Sequence, residues 1–445
     1  MKKILFSLCA ALALLSCTQA PKQQPLDNSV VYEMNVRQYT PEGTFAAAQQ
    51  ELPRLAELGI DILWLMPIYP IGVEGRKGPL GSYYAVKNYC EVNPEFGTLE
   101  DFDNFLAEAH RLGLRVVLDW VANHTSPDAV WVTERPADWY ERDAEGNTTF
   151  TADWYDTANL NYENKDVWTG MADAMRFWVE RGIDGFRCDM ACEVPLEFWK
   201  ETISGLRADY PNIYMLAEGE EPLLHSLSGF NSSYSWELHH MMNAIARGEQ
   251  NIPELLAYLE KDAARQPADA FRLMFTSNHD ENSWSGSEFD RFGAAREVMT
   301  ALTFVWEAAM PLLYTGQEVG YNHSFEFFER DYIPAEKYQE CEDTKLYRKL
   351  IALKHSQPAL QAGERGGRTI EIENNAKDCL MTFVRELGDS RVVAIMNLSP
   401  YTIHVDYNNG IYAGEYTNAI TGEKVLLPVH LEQDIEPWGY TLLYK

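Results

Sequence analysis

Apolar runs and amphipathic stretches alternate along most of the chain, and glycine follows each amphipathic stretch. Residues 44–58 have the 3.6-residue period of a helix and stop before Gly59, a residue type that commonly ends helices. The apolar run 60–66 follows at once and is typical of a buried strand. Residues 99–112 and the run 114–119, again separated by a glycine, repeat the arrangement. Because parallel neighbours need helical crossovers, this order predicts a parallel sheet.

The same order continues far enough to predict eight strands. The strand candidates are residues 29–35, 60–66, 114–119, 183–189, 213–217, 233–237, 271–277 and 311–314. Eight strands with helices between them predict an α/β protein, a (β/α)8 or TIM barrel, over residues 29–365. A polar stretch at about 123–165 has no clear period and is too long for an ordinary loop. It indicates a small inserted subdomain after strand 3.

The pattern changes in the last part of the chain. Residues 366–445 contain short alternating runs, such as 379–384 and 391–397, separated by turns rich in Gly, Asn and Asp. Alternation with a period of two is typical of strands with one buried face. This region is therefore expected to form a C-terminal antiparallel β-sandwich domain.

The N-terminus has the pattern of an export signal. Lys2 and Lys3 precede an apolar run at 4–15 that is too short to span a membrane. The run ends in Leu14-Leu15-Ser16-Cys17, which resembles the lipobox of bacterial lipoproteins. This predicts a signal peptide over 1–17, lipidation at Cys17, a tether over 18–28 and anchoring in the bacterial cell envelope, on the periplasmic face or the cell surface. The alternative is an ordinary secretory signal that contains a cysteine.

The charge balance excludes one class of partner. The chain has 67 acidic and 37 basic residues, a net charge of −30. Nucleic-acid binding needs clustered Lys and Arg, so no nucleic acid partner is expected. A neutral substrate fits this charge better than a polyanion does.

Carboxylates stand at the ends of several predicted barrel strands, where the catalytic groups of such barrels are found. They are Asp119, Asp189, Glu218 and Asp280. Arg187 lies two residues before Asp189, so both side chains face the same side of an extended strand. A guanidinium there favours the ionised carboxylate that a nucleophile needs. A purely structural ion pair is the alternative for this pair considered alone.

Four segments at these strand ends carry a family resemblance: residues 119–124 (DWVANH), 185–189 (GFRCD), 216–218 (LAE) and 275–280 (FTSNHD). In this order they resemble the four conserved regions of the α-amylase family, glycoside hydrolase family 13. The resemblance extends over about 29–445.

The resemblance implies a set of roles. Asp189 is the expected nucleophile, Glu218 the general acid and base, and Asp280 the third carboxylate, placed against the sugar hydroxyls. His124 and His279 are expected to bond the sugar, Tyr84 to stack on it, and Arg187 to belong to the substrate-binding set. Asp119 is expected to orient Arg187.

The chemistry of such a site needs two carboxyl groups that differ in protonation. Arg187 is expected to keep Asp189 ionised. Glu218 has no cation beside it in sequence, so we expect a raised pKa that suits a proton donor. The family retains anomeric configuration through a covalent glycosyl-enzyme, which predicts carboxyl groups about 5–5.5 Å apart.

Two features depart from the family pattern. Residues 190–193 (MACE) replace the segment that often builds an acceptor subsite, and 158–161 (ANLN) replaces a motif linked to bond preference. Many members also bind a structural calcium. Asn123 is a possible ligand, and candidates in the insertion are Asp153, Asp156 and Asn159. No cofactor is expected to be required for the chemistry.

The leading functional hypothesis is a retaining hydrolase of α-glucosidic bonds, most simply α-1,4 bonds in starch, glycogen or maltooligosaccharides. An α-1,6-acting or debranching enzyme and a glucanotransferase remain alternatives within the same family. A non-catalytic starch-binding protein of the envelope is an alternative from another class. The set of Asp189, Glu218 and Asp280 argues against it, because a pure binder need not keep all three.

Overall fold

A computed structural model describes residues 23–445 of the chain. The predicted signal peptide and Cys17 lie outside the described residues. The catalytic part is a closed barrel of eight parallel strands in which each strand pairs with its neighbours in chain order and the eighth pairs with the first. These strands are β1 Val31–Met34, β2 Ile62–Leu65, β3 Arg115–Val121, β4 Gly185–Asp189, β5 Tyr214–Ala217, β6 Ser232–Tyr234, β7 Phe271–Met274 and β8 Ala309–Tyr314. The predicted TIM barrel is confirmed.

Helices lie between the strands and pack around the barrel. The longer ones are Phe45–Leu58, Leu99–Arg111, Lys165–Glu180, Leu196–Asp209, Trp236–Ala246, Ile252–Arg265, Arg296–Val305 and Glu342–Ser356. Shorter helices are Val36–Tyr39, Val130–Glu134, Pro222–Ser226, His279–Ser285 and Glu288–Phe292. Helix Phe45–Leu58 begins at Thr44, whose side chain accepts a hydrogen bond from the Ala47 N–H, and it ends at Gly59 with φ 104°. The helix therefore begins within one residue of its predicted start and ends at its predicted last residue.

The barrel has an inner and an outer apolar layer. The inner cluster includes Val31, Trp64, Leu216 and Leu273, which come from four different strands. Because successive strand residues face opposite sides, the intervening residues pack outward against the helices. Gly185 allows β4 to approach β5 closely, since a Cβ there would lie 2.1 Å from the Tyr214 carbonyl oxygen.

The insertion after β3 contains little regular structure. A two-stranded ribbon pairs His124–Thr125 with Ala158–Asn159 and holds the base of the insertion against the barrel. Helix Lys165–Glu180 begins directly afterwards, which matches the predicted extent of about 123–165.

The C-terminal strands form two facing sheets. One has six strands in the order β9-β10-β11-β16-β13-β14, and the other pairs β12 with β15. Val384, Val393 and Leu443 of the first sheet pack with Val405 and Leu431 of the second. The strands are β9 Arg368–Glu371, β10 Leu380–Leu387, β11 Ser390–Asn397, β12 Ile403–Asn408, β13 Gly414–Asn418, β14 Lys424–Leu427, β15 His430–Ile435 and β16 Tyr440–Tyr444. The predicted antiparallel domain is confirmed.

Several predicted boundaries are wrong. The strand expected at 271–277 ends at Met274, and the one expected at 311–314 begins at Ala309. The strand expected at 233–237 ends at Tyr234, and Trp236 already belongs to a helix. The prediction failed because two apolar residues in so short a segment, Tyr234 and Trp236, fit either a strand or a helix. The predicted tether over 18–28 is too long: Leu26–Asn28 forms a 3-10 helix in which Asp27 and Asn28 are buried. Asn28 Nδ2 donates to the His355 carbonyl oxygen at 3.2 Å, so packing against the barrel has overridden the polar composition.

Within residues 23–445 no helix combines the length and the apolar character needed to cross a membrane.

Candidate active site

The carboxyl ends of the barrel strands bring the predicted groups together. Asp189 ends β4, Glu218 follows β5, and Asp280 lies in the helix His279–Ser285 that follows β7. They line one cleft of about 600 Å³ together with three further predicted residues, Tyr84, His124 and His279. Arg187 and Asp119 are fully buried and contact residues of this cleft.

Arg187 joins the acidic residues of the site. Its Nη1 donates to Asp119 Oδ1 at 3.0 Å and to Asp189 Oδ1 at 3.0 Å. Its Nη2 lies 2.9 Å from Glu218 Oε2, and its Nε donates to the Tyr234 hydroxyl at 3.1 Å. A planar guanidinium with several fixed donors suits this role. The geometry agrees with the expectation that Asp119 orients Arg187.

The expectation that Glu218 has no neighbouring cation is wrong. Arg187 reaches Glu218 from the adjacent strand β4, a contact that spacing along the sequence does not reveal. The backbone N–H of Met190 also donates to Glu218 Oε2 at 2.9 Å. Met190 has φ 44° and ψ 45°, a left-handed conformation that is strained for this residue and is often found at functional sites.

Protonation of the site is set by several groups and not by Arg187 alone. Burial, followed by the charge of Glu218, raises the pKa of Asp189 well above its usual value, while Arg187 opposes the shift. Burial also raises the pKa of Asp280, against the effect of His279. Neighbouring carboxyls that compete for charge retain a proton more readily than isolated ones. The expectation that Arg187 keeps Asp189 ionised is therefore wrong in its direction, because burial and the charge of Glu218 outweigh the guanidinium and raise the pKa of Asp189.

His124 presents a hydrogen-bond donor in the cleft. Burial lowers its pKa to about 4, so the ring is neutral at pH 7. Asn123 Nδ2 lies 3.2 Å from His124 Nδ1 and donates to it, which places the ring proton on Nε2. That Nε2 is buried and has no hydrogen-bond partner among residues 23–445. A buried unpaired donor in a cleft is suited to a substrate hydroxyl.

Tyr84 connects the cleft wall to the buried groups. Its hydroxyl lies 3.0 Å from Asp119 Oδ2 and 2.7 Å from His279 Nε2. Its ring stacks against the His279 ring at a centroid distance of 5.4 Å and lies nearly parallel to the Phe327 ring at 6.4 Å. Stacking of Tyr84 on a sugar stays a prediction.

Sequence reasoning missed several residues of the site. They are Glu33, Lys77, Trp154, Trp284 and Phe327. Trp284 is 62% exposed, which is unusual for tryptophan, and lies four residues after Asp280. Glu33 is a carboxylate within an apolar strand, and that pattern was a usable signal for it. Lys77, Trp154 and Phe327 lie in loops, and nothing in their local sequence distinguishes them.

The residues proposed for calcium line two depressions of the surface. Asp153 and Asp156 line the cleft, whereas Asn123 and Asn159 line a separate depression at the base of the insertion. Asn123 also directs its amide nitrogen at His124. Across residues 23–445, no group of three or more His, Cys, Asp or Glu side chains has the geometry to hold a metal ion. Calcium also takes amide and backbone carbonyl oxygens, so a structural calcium stays a prediction.

Comparison with known proteins agrees with this geometry. The family model described as the α-amylase catalytic domain matches residues 26–359, and the model of the α-amylase C-terminal all-beta domain matches residues 371–433. The maltogenic α-amylase AmyB of Thermotoga neapolitana is 27% identical, with a TM-score of 0.84 over 94% of this chain and 99% of that one. An α-amylase of Lactobacillus plantarum is 30% identical, with a TM-score of 0.83 over the same shares.

Curated relatives are longer than this chain. The α-1,4-glucan:maltose-1-phosphate maltosyltransferase of Rhodospirillum rubrum is 29% identical over 83% of this chain and 57% of its own length. α-Amylase MalA of Haloarcula japonica is 28% identical over 89% of this chain and 59% of its own length. The chain thus spans somewhat more than half the length of these relatives. The match of both family models, the barrel and the residues at its strand ends lead to one conclusion: the chain belongs to the α-amylase family of enzymes.

Proposed function

We propose that the protein is a retaining glycoside hydrolase that cleaves α-1,4-glucosidic bonds in starch, glycogen or maltooligosaccharides. The observation that carries the proposal is the contact of one buried guanidinium, Arg187, with both Asp189 and Glu218. A shared partner keeps the two carboxyl groups close together. Their separation of about 5–5.5 Å, which retaining chemistry requires, stays a prediction.

The proposed reaction has two steps. Asp189 attacks the anomeric carbon while Glu218 gives its proton to the departing glycosidic oxygen, and a glycosyl-Asp189 ester forms. Glu218 then takes a proton from water, the water oxygen attacks the anomeric carbon, and the bond to Asp189 breaks. Asp280 and the Nε2–H of His124 would bind hydroxyls of the reacting sugar.

The charge of the cleft supports a neutral substrate. Its lining includes five carboxylates, Asp153, Asp156, Asp189, Glu218 and Asp280, but only one lysine, Lys77. An anionic sugar would be repelled by this lining. Trp154, Trp284, Phe327 and Phe328 add aromatic faces on which the apolar face of a sugar ring can pack.

An NMR time course on amylose, pullulan and maltotriose tests the proposal. Anomeric proton signals of α-configured maltooligosaccharides released from amylose are the expected result. Cleavage confined to the α-1,6 bonds of pullulan would replace the proposal with a debranching enzyme. The Asp189→Asn variant should lose turnover and keep glucan binding; unchanged turnover would reject Asp189 as nucleophile. Binding without turnover in the wild type would favour the starch-binding alternative.

A glucanosyl transferase is the second candidate. The maltosyltransferase of R. rubrum is named for transfer from maltose 1-phosphate, and it is 29% identical to this chain. The acidic cleft argues against a phosphorylated donor here. Incubation of the enzyme with maltooligosaccharides and inorganic phosphate, followed by ³¹P NMR, distinguishes the two. No maltose 1-phosphate is expected, and its formation would favour the transferase.

We also propose that Cys17 is lipidated and anchors the protein in the bacterial envelope. The motif Leu14-Leu15-Ser16-Cys17 supports this. Detergent phase partitioning of the protein expressed in a bacterium is the test. The wild type should enter the detergent phase and the Cys17→Ser variant the aqueous phase; equal partitioning of the two would reject lipidation.

A further inference from the structure

Glu33 is a buried carboxyl inside the barrel that the proposed reaction does not use. It lies on β1 two residues after Val31, on the inner face of the barrel, and is fully buried. Its Oε1 lies 2.5 Å from Nδ1 of His279, whereas its Oε2 has no hydrogen-bond partner within residues 23–445. A buried carboxylate with so few donors is costly unless a cation pairs with it.

The other nitrogen of His279 indicates which cation this is. His279 Nε2 lies 2.7 Å from the Tyr84 hydroxyl, and that hydroxyl lies 3.0 Å from Asp119 Oδ2. Asp119 already faces two groups that can only donate, Trp64 Nε1 and Arg187 Nη1. As an acceptor it takes the single proton of the Tyr84 hydroxyl, whose oxygen then accepts from His279 Nε2. The Tyr84 hydroxyl thus fixes a proton on His279 Nε2. Burial raises the pKa of Glu33, and the charge of His279 opposes the shift. When Glu33 is ionised, its Oε1 accepts a hydrogen bond from a second proton-bearing nitrogen, Nδ1, and the ring is an imidazolium.

We propose that Glu33 is a positioning residue that holds His279 as an imidazolium beside Asp280, at the wall of the cleft. Asp280 Oδ2 lies 3.3 Å from His279 Nε2, so the ring charge is placed next to the third carboxylate. Glu33 itself is too deeply buried to touch a substrate. The effect on turnover rests on the proposed function, whereas the charge of the ring does not.

The groups that face His279 come from five parts of the fold. They are Glu33 on β1, Tyr84 after β2, Asp119 on β3, Arg187 on β4 and the adjoining Asp280. Two tyrosines, Tyr234 and Tyr314, lie around Glu33 itself. Burial lowers the pKa of His279, but Asp280 and Glu33 outweigh burial and raise it to about 9, with Arg187 opposing them. The protonated ring is therefore expected across the neutral range.

The charge of His279 can be measured without substrate. Ring ¹⁵N shifts of the full mature protein are followed from pH 6 to pH 10, with the His279 signals assigned by their loss in the His279→Asn variant. Both nitrogens should be protonated at pH 7, and the midpoint should lie near 9. In Glu33→Gln the midpoint should fall by at least one pH unit. A neutral His279 at pH 7 in the wild type, or an unchanged midpoint in the variant, overturns the proposal.

Kinetics then test whether the charge serves turnover. Glu33→Gln should lower kcat about ten- to a hundredfold, the effect of one charge-assisted hydrogen bond, leave KM nearly unchanged and move the alkaline limb of the pH profile to lower pH. Glu318→Gln is the matched control. Glu318 is also fully buried, but it lies outside the cleft lining and pairs with Arg54, with 2.9 Å between Glu318 Oε1 and Arg54 Nη2. In this variant kcat and the alkaline limb of the pH profile should therefore stay as in the wild type.

A double variant separates action through His279 from a general effect on folding. Glu33→Gln combined with His279→Asn should be no slower than His279→Asn alone, because Glu33 acts through that ring. If the fold losses in kcat of the two single variants multiply in the double variant, Glu33 does not act through His279 and the proposal is overturned. If Glu33→Gln does not fold, the wild-type titration of His279 still decides the question.

Discussion

Arg187 places one planar cation between Asp119, Asp189 and Glu218. Each contact comes from a different barrel strand or strand end, so the side chain also ties β3, β4 and β5 together at their carboxyl ends. Two of the three carboxyls carry the proposed chemistry. The orientation of the catalytic pair and the cohesion of this edge of the barrel therefore depend on the same group.

Arg187→Lys should show how much of the rate depends on this geometry. A single ammonium lacks the planar fork and cannot contact all three carboxyls, so kcat should fall about 10²–10³-fold, as on loss of a preorganised donor. Initial rates on maltooligosaccharides measure it. Arg181→Lys is the control, since Arg181 also pairs with a carboxylate, Asp103 at 2.7 Å, but lies before the amino end of β4, whereas the site is at the carboxyl ends of the strands. A loss below threefold in Arg187→Lys would contradict this account.

At the scale of single residues, the sequence predicted the carboxyl residues of the site better than it predicted the side chains that contact them. Asp189, Glu218 and Asp280 were predictable because each stands at a strand end within a recognisable segment. The cation beside Glu218 was not, since it comes from the neighbouring strand. Glu33 and His279 are 246 residues apart in the sequence. Local sequence patterns do not predict a contact over such a separation.

At the scale of elements, the loop of residues 71–81 after β2 is held on both sides. On one side Lys77 Nζ lies 3.5 Å from Asp156 Oδ1 of the insertion. On the other side the Leu80 N–H donates to the Phe328 carbonyl oxygen at 3.1 Å. Gly75 and Gly78 have positive φ, and a Cβ at either would meet Tyr155 or Phe328 within 2.7 Å. The loop is therefore a fixed wall of the cleft.

Barrel order places this wall opposite the proposed acid. Glu218 follows β5, whereas Lys77 follows β2 and Phe328 follows β8, the strands on either side of β1. The general acid lies on the leaving-group side of the bond. The wall therefore bounds the part of the cleft that would hold the other, non-reducing end of the glucan.

Lys77→Ala should relax this boundary. Loss of the pair with Asp156 is worth about 1 kcal/mol, so the ratio of kcat/KM for amylose to that for maltotriose should rise about fivefold. Lys345→Ala is the control, because Lys345 also pairs with a carboxylate, Glu342 at 2.7 Å, on a helix outside the cleft lining. An unchanged ratio in Lys77→Ala would show that the loop does not limit chain length.

Helices and strands were predictable where the hydrophobic period agreed with the residues that commonly begin or end such an element. Helix Phe45–Leu58 has a regular apolar stripe, a capping threonine and a terminal glycine, and its predicted bounds were correct within one residue. Loop 71–81 has no periodicity, and its conformation depends on residues of the insertion and of the loop after β8. Contacts of that kind follow from tertiary packing and are not encoded locally.

At the scale of the whole molecule, two buried cations lie where the barrel meets the C-terminal domain. Arg385 donates to the Gly367 and Val305 carbonyl oxygens, and Lys354 donates to the carbonyl oxygens of Ala309 at 2.9 Å and Leu360 at 3.0 Å. Neither forms an ion pair with a carboxylate of the described chain. Burial lowers the pKa of Lys354 to about 7 and that of Arg385 to about 10.

Lys354 should make the stability of the protein depend on pH. The unfolded chain holds the Lys354 proton up to about pH 10.5, whereas the folded chain releases it near pH 7. Between these values the unfolded state binds more protons, so the free energy of unfolding should rise with pH by up to about 1.4 kcal/mol per pH unit.

Urea unfolding of wild type and Lys354→Met at pH 7, 8 and 9 measures this contribution as a difference between the two proteins. The wild type should gain stability relative to Lys354→Met as pH rises. Lys349→Met, on the same helix but outside the buried set, should follow the wild type. A constant difference between wild type and Lys354→Met would mean that the lysine keeps its charge when folded.

The division of the chain into barrel, insertion and sandwich was predictable because each part has its own hydrophobic period. The joint between barrel and sandwich was not. Lys354 and Arg385 read as ordinary surface cations in the sequence, and only the packing of two domains buries them.

The surplus of carboxyls over cations around Arg187 has a consequence for inhibition. Three acidic groups that line the cleft, Asp189, Glu218 and Asp280, surround the place where positive charge would develop on the sugar during the proposed bond cleavage, and Asp119 lies behind them. Amine-bearing sugar mimics carry such a charge in the ground state whenever the amine is protonated. The same pocket should therefore retain them more tightly than the neutral sugars of the same shape, and added salt should weaken that preference.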